Sequence, residues 1–89
     1  MLNPAQRKSL RARAHKLEPV VRIGAKGLTD EVMGEIERAL KAHGLIKLRA
    51  AGADKMNLHQ ILQTICERTA AEPMQQVGKV LLIFRKNDA

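Results

Sequence analysis

The stretch VVRIGAKGLTDE, residues 20–31, decides the fold, because it holds two kinds of local structure and the junction between them. Pro19 to Ile23 is rich in β-branched residues and bounded by a proline and a glycine. It reads as a strand with Val21 and Ile23 on one face and Val20 and Arg22 on the other. Thr29 is placed as a helix N-cap. Asp30 and Glu31 follow where the helix dipole favours carboxylates, and Leu28 with Met33 suits a hydrophobic staple. A strand that feeds a helix through Gly24-Ala25-Lys26-Gly27 is the first part of a β-α-β unit, which puts the chain in the α/β class.

Downstream, Leu28, Val32, Ile36 and Leu40 recur every four residues, and Lys41, His43 and Gly44 close the helix with cations and a left-handed glycine. From Ile46 the sequence alternates to Arg49, a second strand with Lys47 and Arg49 on its polar side. Gly52-Ala53-Asp54 breaks the chain. Leu58, Ile61, Leu62, Ile65 and Cys66 then follow helical spacing, with Pro73 after the helix. Met74 to Phe84 reads as two strands joined at Gly78-Lys79, a Gly-X pair suited to a type II′ hairpin. Val80 to Phe84 is apolar on both faces, so both sides of that strand should be covered.

Upstream, Asn3-Pro4 with Gln6 has the pattern of a capping box. It opens a basic amphipathic helix with Leu10, Ala14 and Leu17 on its apolar side, and Pro19 ends the segment. The predicted architecture is a single compact α/β domain, α-β-α-β-α-β-β, with one four-stranded mixed sheet. Strand order decides whether the second and third helices share a face, and the first helix is available as a second cover.

The 89 residues allow one domain, and a 45% hydrophobic content is globular. No apolar run approaches the ~20 residues of a membrane span, and MLNPAQRKSL lacks the apolar centre of a signal peptide. With Cys66 as its single cysteine, the chain is expected in a reducing cytoplasm, away from membranes. The net charge of +7 points to a polyanionic partner. It is uneven: residues 1–27 carry Arg7, Lys8, Arg11, Arg13, Lys16, Arg22 and Lys26 against Glu18 alone. An anion-binding segment explains this one-signed run better than a solvated helix face, which usually mixes signs.

An enzyme reading finds little support. Ser9 lies in the basic helix, Cys66 in an apolar stripe, and His15, His43 and His59 have no metal-site spacing, so neither a catalytic residue nor a metal or other cofactor is expected. GAKGLT fits neither the P-loop nor the dinucleotide fingerprint. What remains is a glycine-bracketed turn between a strand and a helix N-terminus, where backbone N–H groups favour a phosphate and Lys26 adds a point charge. The plainer alternative is a β-α turn that needs positive φ at both glycines. Arg22 before the loop, the basic first helix, and Lys47 and Arg49 on the next strand favour phosphate. Phe84 is the one aromatic residue, so stacking platforms cannot be built, and RNA or DNA would be held through backbone and shape.

Taken together, the basic first helix, "KLEPVVRIGAKGLTDEVMGEIERALKAHGLIKLR" and "QQVGKVLLIFRK" resemble the CRM domain, an RNA-binding module, in its stand-alone bacterial YhbY-type form. The resemblance covers nearly the whole chain, 1–86, leaving 87–89 as a short tail. It implies a fold similar to the C-terminal domain of translation initiation factor 3. It also implies RNA contact through the GxxG loop, here Gly24, Ala25, Lys26 and Gly27, and association with precursors of the large ribosomal subunit. To these the strand and helix readings add Arg22, Lys47 and Arg49, then Arg7, Lys8, Arg11 and Arg13. The competing readings are a non-specific DNA-binding or chromosome-associated protein and, ranked last, an enzyme for a small phosphorylated ligand.

Overall fold

The computed structural model describes residues 2–51 and 55–86. Its elements are α1 (Pro4–Ala14), β1 (Pro19–Arg22), α2 (Asp30–His43), β2 (Leu45–Arg49), α3 (Lys55–Thr69), β3 (Glu72–Val77) and β4 (Val80–Phe84). This is the order expected from the sequence. The break expected at 52–54 and the tail 87–89 lie outside the described residues.

The four strands form one sheet in the order β1-β2-β4-β3. The crossover through α2 makes β1 and β2 parallel; the β2/β4 and β4/β3 pairs are antiparallel, so the sheet is mixed. Central β4 alternates between two cores, which is why it is apolar on both faces. Leu81 and Ile83 pack with Ile36 and Leu40 of α2 and with Leu58, Leu62 and Ile65 of α3. Leu82 faces the other way and packs with Leu10 and Ala14 of α1, Leu45 and Met74. α2 and α3 therefore share one face and α1 covers part of the other. Each Leu, Ile or Met side chain buried in this way contributes roughly 1.5–3 kcal/mol.

Local chemistry sets the helix ends. The Asn3 side chain accepts from the Gln6 N–H at 2.8 Å while the Gln6 side chain accepts from the Asn3 N–H at 3.0 Å, a complete capping box. Thr29 Oγ1 accepts from the Val32 N–H, and Gly44, with φ 76°, ends α2 by donating to Leu40 O.

Two expectations need correction. α1 stops at Ala14, so Leu17 belongs to the link into β1 and is 37% exposed instead of lying on the buried side of a helix. β3 begins at Glu72, not Met74, and so includes Pro73. A proline without an N–H is tolerated there because β3 is an edge strand, and the pairing is irregular between Pro73 and Gln75. The β3–β4 hairpin turns at Gly78, where φ is 57°.

Candidate nucleic-acid interface

The loop is built as a tight turn set between two anchored ends. The Ile23 N–H donates to Arg49 O at 2.7 Å, which extends the β1–β2 pairing to the loop's threshold. The turn closes with the Gly27 N–H donating to Gly24 O at 3.0 Å, and the Thr29 N–H donates to Gly27 O at 3.1 Å before the α2 cap. Ala25 and Lys26 occupy the exposed tip, and none of these bonds uses their N–H groups. Glycine has different causes at the two ends. Gly27 has φ +73°, which an L side chain adopts only under strain. Gly24 lacks a positive φ, and a Cβ built on it would meet nothing within 4 Å. The turn that needs positive φ twice is therefore not what forms.

The α2 N-terminus itself is a poor phosphate seat, because Asp30 and Glu31 already complement its dipole.

The sheet divides the predicted basic residues. Arg22 and Arg49 are paired across β1 and β2, both exposed, and Lys47 lies two residues back on the same face of β2. That is the α1 face, since Lys47 is opposite Leu82. The turn opens instead toward α3, across a cleft of about 360 Å³ lined by Ile23, Gly24, Ala25, Gly27, Leu28, Ala50, Asn57, Gln60, Ile61 and Thr64. Arg22, Arg49 and the turn meet only at the end of the sheet where β1 finishes.

On α1 the four cations differ. Arg7 is committed to the fold: its guanidinium pairs with the Glu72 carboxylate at 3.2 Å and donates to Pro73 O at 3.3 Å, tying α1 to β3. Lys8 and Arg13 are exposed and Arg11 is half-buried. Arg13 and Lys16 line a groove of about 470 Å³ along the β1 edge with Pro19, Val20, His43 and Lys47. Lys47 Nζ in turn donates to Leu17 O at 3.1 Å.

Two features near the turn escaped the sequence reading. Lys79, at the hairpin tip, joins the turn end of the sheet: the Ala50 N–H donates to Lys79 O at 2.9 Å, and Lys79 Nζ donates to Ala51 O at 2.7 Å. Asn57, Gln60 and Thr64 form the polar wall of the cleft. Their helical spacing is visible in the sequence, but it does not say which wall they would face.

Burial pushes the Cys66 thiol up to about 11, with help from the Glu72 carboxylate, so Cys66 offers no thiolate at neutral pH. Among the described residues no cluster of His, Cys, Asp and Glu is arranged to hold a metal, and no helix is long and apolar enough to cross a membrane.

Comparison with known proteins gives a consistent result. The chain is 40% identical over 87 residues to a Haemophilus influenzae protein named "RNA-binding protein", covering 98% of this chain and 88% of that one. It is 36% identical over 86 residues to a Pseudomonas aeruginosa protein named "Probable RNA-binding protein", covering 97% and 83%. The solution structure of a hypothetical protein from Staphylococcus aureus has the same fold, with a TM-score of 0.86, 27% identity, and coverage of 100% of this chain and 93% of that one. The model of the CRS1/YhbY (CRM) domain matches residues 2–85, and the chain belongs to that family.

Proposed function

We propose that this chain is a non-enzymatic, cytoplasmic RNA-binding protein that grips the sugar-phosphate backbone with the Gly24–Gly27 turn and assists assembly of the large ribosomal subunit by binding ribosomal RNA in its precursors. Gly24 carries the reading. Neither its φ nor its packing calls for glycine, and the open space where a side chain would stand lets a sugar-phosphate backbone come close. Lys26 and the tip amides meet a phosphate, while Arg22, Arg49 and Lys47 with Lys8, Arg11 and Arg13 supply the surrounding positive field. Arg7 adds least to that field, because Glu72 offsets its charge. The names of the relatives support RNA over DNA as the polyanion. The ribosomal partner comes from the family resemblance.

The test is a fluorescence anisotropy titration of a structured RNA and a duplex DNA of equal length at several salt concentrations. Wild-type protein should prefer the RNA, and Lys26→Ala should reduce the salt slope by ~1 unit across RNA sequences. An unchanged slope would remove Lys26 from the interface, and equal affinity for DNA would favour a non-specific basic protein.

A further inference from the structure

The cleft between the Gly24–Gly27 turn and α3 differs chemically from the basic surface beside it. Ile23, Leu28 and Ile61 contribute apolar lining, and Asn57, Gln60 and Thr64 are its polar wall. Among the described residues that line it, none is charged. A phosphate inside would lose water and meet no cation among the described lining residues, an unfavourable exchange. A nucleobase is better suited, since its flat faces are apolar and its edge carries donors and acceptors. At about 360 Å³ the cleft lies at the small end of ligand sites, which run roughly 300–1,000 Å³.

Gln60 and Thr64 are one helical turn apart on α3, both exposed, and neither side chain has a protein hydrogen-bond partner among the described residues. The Gln60 amide offers both a donor and an acceptor, the combination that reads a base edge, and the Thr64 hydroxyl can play either part.

We infer that this cleft takes one unpaired nucleotide of the bound RNA, with Gln60 and Thr64 hydrogen-bonded to its base edge while its phosphate stays outside at Ala25 and Lys26. The inference rests on the RNA-binding reading above and adds two properties to it. A paired, stacked base cannot enter, so loops or bulges bind in preference to duplex. Contact with a base edge also gives a preference among bases, which backbone contact alone does not.

The experiment titrates hairpin RNAs with one stem and loops of U, C or A, and a fully paired duplex of equal length, into wild-type protein and the Gln60→Ala, Thr64→Val and Lys26→Ala variants. Loops should bind more tightly than duplex, with an affinity that depends on the loop base. Gln60→Ala and Thr64→Val should each weaken the preferred loop by about 3- to 10-fold and flatten the base order without changing the salt slope. Both positions are exposed, and unchanged thermal unfolding checks that the fold persists. Equal affinity for loop and duplex, or a base order retained in both cleft variants, overturns the inference. Lys26→Ala separates the two ideas. A reduced slope with the base order intact upholds the turn whatever the cleft variants do, and an unchanged slope with responsive cleft variants removes the turn and leaves the cleft standing.

Discussion

Single residues in the turn show how similar glycines can have unlike causes. Gly27 is required by its own backbone: at φ +73° an added Cβ is strained, and Gly27→Ala should cost about 1 kcal/mol in urea unfolding. Gly24 has no such requirement. Gly24→Ala should leave stability unchanged or raise it by about 0.4–1 kcal/mol, since it mainly restricts the unfolded chain. RNA affinity should nonetheless fall in Gly24→Ala, and a variant that is both stable and fully active in binding would show that nothing approaches this position closely. From the sequence the two glycines look interchangeable, because φ depends on the path that the chain takes between β1 and α2. Arg7 and Lys8 look equally alike. One is bound to Glu72 and the other faces solvent, and only the docking of α1 on β3 tells them apart.

At the scale of elements, the helices and strands were largely legible because their signals are local. The capping box at Asn3, the Thr29 cap, Gly44 and the Gly78 hairpin each act within a few residues of themselves. The misplaced boundaries, at Leu17 and Pro73, lie where position in the sheet overrides the local pattern. One inter-element clamp was not foreseen at all. Arg85, just past β4, donates from one guanidinium nitrogen to both carboxylate oxygens of Glu37 on α2, at 3.0 and 2.8 Å, and to Thr69 O at the end of α3, at 2.9 Å. The hydrogen bond from Arg85, more than its charge, holds the Glu37 carboxyl below its ordinary range of 4.5. A carboxylate depressed in the folded state stabilises above its unfolded pKa, and that contribution is lost as pH falls through the lower folded value. Glu37→Gln should therefore cost about 1 kcal/mol at pH 7 in chemical unfolding, with the gap from wild type closing as pH falls below the ordinary 4.5. A gap that stays constant through that range would mean that the Glu37 charge contributes nothing.

For the molecule as a whole, the arrangement of charge matters more than its total. The sheet places Arg22, Lys47 and Arg49 on the α1 face and the cleft on the α3 face, so an RNA that uses both must pass around the end of the sheet where the turn projects. A folded RNA with a loop or junction, as proposed above, would meet that requirement. Sedimentation of cell extract through a sucrose gradient tests the proposed partner directly: the protein should travel with large-subunit precursors at low salt, and not with mature ribosomes. Recovery only at the top of the gradient would separate RNA binding from ribosome assembly. The sequence by itself determined the order of elements, the single domain, the two-sided burial of β4 and the glycine-bracketed turn, because periodicity, caps and turn residues act over short range. The tertiary structure alone decided that α2 and α3 share a face, that the basic residues are split across the sheet, and that Gln60 and Thr64 look onto the turn. Those facts depend on strand order, and strand order is settled by which distant apolar surfaces bury one another.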